Sequence, residues 1–277
     1  MTQLNILTVD VEDWYMDLDI LKWELFEDRV VASTSKILNL LEKEGINGTF
    51  FIVGYVAERF PELIEEIRDR GNEIATHGYS HTSILRQNPK EFECDLQKSI
   101  SILRNLSKED IVAHRACEFS IVEETAWAID ILKRNNIMYD SSVVPAKTYL
   151  YGVNGAPKFP YYIDSSDIKK AHVNGDLVEL PISSMTIPFL KRNVPIAGGF
   201  YLRFLPYDFI KFSIKKIHMN AKPFICYVHP WEFDPQQPRI QNLKPFHYFG
   251  LSSTERKFKK LLRDFRFTSI KEWMENE

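Results

Sequence analysis

The stretch Glu73-Ile-Ala-Thr-His77-Gly-Tyr-Ser-His81 ends a short run of strand-forming residues by presenting two imidazoles four residues apart. That spacing sets both rings on one side of a helical turn or tight loop, where one divalent cation can accept a nitrogen from each. Taken alone the pair fits two unrelated surface histidines equally well. Its weight comes from what the other strand ends carry.

Upstream, Leu4 to Val9 is an apolar run that reads as a buried strand and empties into Asp10-Val-Glu12-Asp13-Trp14. Three carboxylates at the end of a core strand are costly to bury without a purpose. Strand side chains alternate, so Asp10 and Glu12 share a face while Val11 points away. Between the two motifs, the spacing of Ile37, Leu38, Leu40 and Leu41 predicts a helix from Ser33 to Glu44 that Gly45 closes. Thr49 to Val53 reads as a second strand, Gly54 to Phe60 and Pro61 to Arg70 as helical, and Glu73 to Thr76 as a third strand. This βα repeat predicts a parallel sheet or barrel with its active residues at the carboxyl ends of the strands.

Downstream, Pro89 to Leu106 is an amphipathic helix leading to a strand exit, Ile111 to Ile121, that carries His114 and Arg115. Ala126 to Asn135 reads as a helix and Ile137 to Ser142 as a strand with Asp140 at its end. Tyr149 to Pro160 is an irregular loop, Asp176 to Pro181 a strand, and Ala197 to Tyr201 a glycine-containing loop whose backbone could approach a ligand. Phe224 to Val228 is a strand ending in His229-Pro-Trp231-Glu232. Thr254 to Phe265 is a helix whose basic residues read as a solvated face, and Phe267 to Ile270 a closing strand. No repeat or linker interrupts the chain.

Composition narrows the function classes. The 277 residues are 44% hydrophobic and 26% charged, enough for one large α/β domain or two small ones, and the net charge of −3 with no long basic run argues against nucleic acid as a partner. The first residues lack a basic n-region and their apolar run is broken by Asp10, so the expectation is neither a signal peptide nor an integral membrane segment, with a cytoplasmic location as the default. Three cysteines, Cys94, Cys117 and Cys226, fit reduced thiols better than a disulfide framework.

Taken together, the strand ends resemble the polysaccharide deacetylase family, the carbohydrate esterases that share a NodB-like domain. Thr8-Val-Asp10-Val-Glu12-Asp13-Trp14, His77-Gly-Tyr-Ser-His81-Thr82 and Arg115-Ala-Cys-Glu-Phe119 look like its first three motifs. Tyr139-Asp140-Ser141-Ser142 and Tyr227-Val-His229-Pro230-Trp231 look like its last two. Gly198-Gly-Phe-Tyr201 and the stretch from His229 to Arg239 resemble the subgroup associated with exopolysaccharide and surface-glycan loci. The resemblance spans nearly the whole chain as one domain, with about 146–277 specific to the subgroup. It implies a distorted (β/α) barrel and the hydrolysis of an N-acetyl or related acyl group on an amino sugar, free or nucleotide- or lipid-linked. It also implies zinc or another divalent metal such as cobalt, nickel or ferrous iron.

The same resemblance implies roles. Asp10 would be the general base, with Arg115 holding it ionised, and His229 the general acid, oriented by Asp140. His77, His81 and Glu12 would hold the metal, with Asp13 as the alternative to Glu12 because Val11 stands where common members have a second aspartate. Two histidines and one carboxylate leave open positions on such an ion, which can then polarise an acyl oxygen and activate water. Backbone N–H groups near Cys117 to Phe119 would help hold the oxyanion, and Phe119, Tyr201 and Trp231 would line a sugar site. Cys117 and Glu118 depart from the residues usual after Arg-Ala, and His114 replaces the usual aromatic. These departures leave open a catalytically weakened glycan-binding relative; a hydrolase of a non-sugar amide on the same fold is a further reading.

Overall fold

Strand β1 (Leu4–Val11) is buried along nearly its whole length and is paired in parallel on both sides, which is why its sequence is a continuous apolar run rather than an alternation. The computed structural model describes residues 3–148, 151–187, 192–196, 198–241, 243 and 246–276. After β1 come α1 (Val30–Glu44), β2 (Thr49–Ile52), α2 (Gly54–Arg59), α3 (Pro61–Asp69), β3 (Glu73–Thr76) and α4 (Pro89–Ser107). Then follow β4 (Ala113–His114), α5 (Ala128–Arg134), β5 (Tyr139–Asp140), β6 (Tyr161–Tyr162) and β7 (Val178–Glu179). The hairpin β8 (Ser184–Ile187) and β9 (Arg192–Pro195) precedes α6 (Gly199–Phe204), α7 (Tyr207–His218), β10 (Ile225–Val228), α8 (Leu251–Asp264), β11 (Arg266–Thr268) and α9 (Ile270–Glu275).

The sheet runs β10-β1-β2-β3-β4-β5-β7-β6, with β11 beside the start of β1; every pairing is parallel except β6 with β7. It curls until the segment after β7 meets β10, where the Ile225 N–H donates to Ser183 Oγ at 2.8 Å. This is the mixed α/β architecture with a curled parallel sheet that the βα repeat predicts, a distorted barrel. Parallel register fixes the levels: Val9 lies opposite Val228 and Asp10 opposite Phe51, so Asp10 and His229 leave adjacent strands side by side. His77 follows β3, Arg115 follows β4 and Ser141 follows β5 at the same carboxyl rim.

Five expected elements differ in detail. Helix α1 begins at Val30 rather than Ser33, because the Asp13 carboxylate accepts the N–H groups of Arg29 and Val30 at 2.7 and 2.9 Å and satisfies the first turn from outside the helix. The strands expected over 111–121, 137–142 and 176–181 shrink to two residues each. Gly198 and Gly199 open helix α6 instead of reaching toward a ligand: a Cβ at Gly198 would lie 1.5 Å from the Tyr227 carbonyl oxygen, so the close approach is to β10. Ala197 lies outside the described residues. Helices α7 and α9 and the β8–β9 hairpin were not read from sequence.

Candidate active site

At the carboxyl rim, Glu12, His77 and His81 each offer a ligand atom within 4.8 Å of the others, and all three side chains are buried. His81 Nε2 lies 2.5 Å and His77 Nε2 4.0 Å from Glu12 Oε2. Each ring is aimed by its other nitrogen: His77 Nδ1 sits 2.8 Å from the Arg115 carbonyl oxygen and His81 Nδ1 3.1 Å from that of Met16. A backbone carbonyl on Nδ1 leaves Nε2 facing the cluster, the arrangement that orients metal-binding imidazoles. Glu12 Oε1 accepts from the indole N–H of Trp231 at 2.9 Å, so the carboxylate is fixed at both oxygens. The donor set, its spacing and its support fit a divalent ion of zinc type. Asp13 does not join it; both of its oxygens are engaged by backbone N–H groups, Oδ1 by that of Trp14 at 2.8 Å and Oδ2 by those of Arg29 and Val30.

Charge in the cluster follows from these contacts. Burial alone would raise the Glu12 carboxyl, but His81, His229 and His77 together hold it well below the usual carboxylate range. Burial pushes His77 down to about 4, leaving it neutral. Burial opposes protonation of His81 too, yet the adjoining Glu12 carboxylate lifts it to about 9.

Asp10 flanks the triad. Its Oδ1 is 2.5 Å from Arg115 Nη1, and Arg115 is fully buried, donating also to Thr8 Oγ1, the Ser141 carbonyl and Ser141 Oγ, each at 2.8 Å, with its guanidinium over the Phe51 ring. A buried guanidinium with all three of its nitrogens engaged is a fixed positive charge against which Asp10 is set. On the other side His229 Nε2 lies 3.6 Å from Glu12 Oε1 and 3.8 Å from Asp10 Oδ2. Against burial, Glu12, Glu232 and Asp10 raise His229 to about 9.

Asp140 does not orient His229. Its Oδ1 accepts from His114 Nδ1 at 2.7 Å and from Ser142 Oγ at 2.7 Å, because β4 and β5 pair in a register that sets His114 directly opposite Asp140. In β7 the register partner of Asp140 is Glu179, whose carboxyl is pushed well above its usual range by burial and by Asp140. The group on His229 Nδ1 is instead Glu232, at 3.1 Å, itself paired with Arg203 at 2.7 Å. Neither Glu232 nor Arg203 was singled out from sequence, although Glu232 stands three residues after His229 within a quoted motif.

One of the expected oxyanion donors is engaged elsewhere. The Phe119 N–H donates to the Ala116 carbonyl at 3.1 Å inside a tight turn, so it is withdrawn from that role. Glu118 and Phe119 hold φ of 56° and 50°, left-handed values that non-glycine residues seldom adopt. Phe119 is buried against Tyr151 and Tyr227 and forms a wall. Trp231 stacks between His229 and His247, with ring centroids 5.3 and 4.2 Å away. Tyr201 meets Phe200 edge-on at 5.7 Å.

Residues 23–137 match the profile of the polysaccharide deacetylase family, and residues 141–275 match a domain of unknown function, DUF3473. The chain is 32% identical over 149 residues to a peptidoglycan deacetylase-like protein, FGM2, of Gibberella zeae, covering 53% of this chain and 41% of that one. It is 29% identical over 154 residues to a peptidoglycan deacetylase of Helicobacter pylori, covering 53% and 51%. The chain thus spans about half the length of these curated relatives or less. In fold it is similar to a provisionally named polysaccharide deacetylase of Mycobacterium smegmatis, with a TM-score of 0.64 at 18% identity, covering 100% of this chain and 91% of that one. The profile over residues 23–137 and the named relatives support a likeness to the polysaccharide deacetylase family in that stretch, and the solved structure agrees with it in fold.

Proposed function

We propose that this protein is a metal-dependent N-deacetylase that removes an acetyl or related acyl group from an amino sugar of a surface polysaccharide, or of its nucleotide- or lipid-linked precursor. The observation that carries the reading is the buried Glu12–His77–His81 cluster flanked by Asp10 on one side and His229 on the other. A divalent ion, with zinc the natural candidate, held by Glu12, His77 and His81 would supply Lewis acidity toward an acyl oxygen and a water. Asp10, paired with the Arg115 guanidinium through Oδ1, accepts the proton of that attacking water through Oδ2. His229 presents Nε2 to the same space, with Nδ1 held by Glu232, and gives its proton to the departing amine as the C–N bond breaks. Acetate and a free amino sugar result.

Phe119 and Trp231 shape the walls and Tyr201 the outer part of the sugar site, with Trp231 held rigid by Glu12 and His247. Asp140 acts at one remove, through Ser142, whose hydroxyl accepts the Ala116 N–H at 2.8 Å next to Arg115. We read residues 1–277 as one functional unit, because residues of the C-terminal half reach the triad. The surface-glycan setting rests on the Gly198–Tyr201 and His229–Arg239 motifs. The test is acetate release from a panel of N-acetylated amino-sugar polymers and conjugates by zinc-loaded protein. Release that a chelator abolishes and zinc restores supports the reading; no release from any member overturns it.

A further inference from the structure

Glu232 is completely buried, a position that carboxylates occupy only when paired. Its Oε2 accepts from the His229 backbone N–H at 3.0 Å and faces His229 Nδ1 at 3.1 Å, while its Oε1 accepts from Arg203 Nε at 2.7 Å. Arg203, also buried, is anchored in turn: Nη1 donates to the carbonyls of His247 and Phe249, both at 2.7 Å, and the guanidinium lies 5.0 Å from the Trp231 ring centre. Lys257 Nζ holds the end of α6 by donating to the carbonyls of Leu202, Arg203 and Leu205. Every one of these residues lies within 141–275, the stretch matched by a profile of unknown function.

We propose that Arg203 and Glu232 are the positioning pair for His229, taking the place that Asp140 would fill, and that supplying this pair is a task of the 141–275 stretch. The inference rests on the deacetylase reading for its effect on rate, but not for the pairing itself. Two anchors make the geometry rigid. The carboxylate fixes the imidazole through both its backbone and its Nδ1, and the guanidinium prevents the carboxylate from rotating away. Nδ1–H is thereby held on Glu232, and Nε2 is the nitrogen left to face Asp10 and Glu12.

Glu232→Gln tests this, because the amide oxygen will turn to the anchored Arg203 guanidinium, leaving the NH2 group against the His229 backbone N–H and Nδ1. In zinc-loaded protein, kcat should fall about tenfold or more, a part of the roughly 10²–10⁴-fold that a positioned proton donor contributes, with KM within about twofold and zinc content unchanged. A role confined to stability is separated by the double variant Arg203→Met/Glu232→Gln, which removes both buried charges. It should regain thermal stability without regaining kcat, and recovery of both together would overturn the proposal. The nitrogen-15 spectrum of the His229 ring reads the pairing with no substrate present. Glu232→Gln should shift the Nδ1 resonance and Asp140→Asn should leave it in place; the reverse pattern would overturn the proposal even if no acyl substrate were found.

Discussion

Asp10 and Glu12 share one face of one strand end, yet their neighbours divide them: Asp10 meets the Arg115 guanidinium and Glu12 meets imidazoles and an indole. The difference has a measurable consequence in metal binding. In the metal-free protein His81 is raised to about 9, so at pH 7 it carries a proton that a ligating nitrogen must give up. Binding of zinc at pH 7 should therefore release about one proton, and affinity should climb ~tenfold per pH unit until about pH 9 and then level. Calorimetry in two buffers of different ionisation enthalpy reads the proton count; none released would mean that Glu12 and His81 are not paired. Cys117 gives a second check at this scale. Its thiol sits 3.1 Å from the Thr82 carbonyl oxygen, outside the ligand cluster, and burial pushes it well above its usual range. Cys117→Ala should keep zinc content at the wild-type level by elemental analysis, and loss of zinc would show that the ligand set is wrong. The residues at the rim were legible because a βα repeat places strand ends together whatever lies between them. The partner of His229 was not, because it depends on the register of His114 against Asp140 and on Arg203, 29 residues before Glu232.

Among the elements, long buried strands and amphipathic helices could be read directly, whereas β4, β5 and β7 keep only two residues each. There the hydrogen bonds that would extend the ladder are replaced by side chains: Ser142 takes the Ala116 N–H, and Glu179 takes the Val143 N–H at 2.9 Å. Periodicity cannot reveal that exchange. The Gly198-Gly199 pair was misread for a related reason, since glycine marks a close approach without saying to what. Here the neighbour is β10, and a Cβ at Gly199, whose φ is 49°, would lie 2.6 Å from the Tyr227 hydroxyl. Gly199→Ala should destabilise the protein by ~2 kcal/mol or more through left-handed strain and the clash. The midpoint of urea unfolding reads this, and an unchanged midpoint would mean that α6 does not start against Tyr227.

For the whole molecule, the two matched profiles divide the chain near residue 140, but the sheet does not. β1 pairs with β10 on one side and with β11 at its start, and His229 enters the site from β10. A chain ending at Asp140 would expose one full edge of its central strand and lose the Trp231 bond to Glu12. It should show no cooperative unfolding transition by circular dichroism; a sharp transition would mean that the first half is a separate unit. Among the described residues no helix is long and apolar enough to cross a membrane.

The most direct measurement of the central claim sets zinc stoichiometry beside deacetylation rate for wild type, His81→Ala and Asp10→Asn. His81→Ala leaves one imidazole and one carboxylate, too few to hold the ion tightly, so metal and activity should vanish together. Asp10→Asn keeps the ligand set intact but cannot take up a proton, so it should retain zinc and lose roughly 10²-fold or more in rate. Full activity in Asp10→Asn, or wild-type protein that binds glycan and zinc but releases no acyl group, would contradict the account and leave a glycan-binding relative in its place.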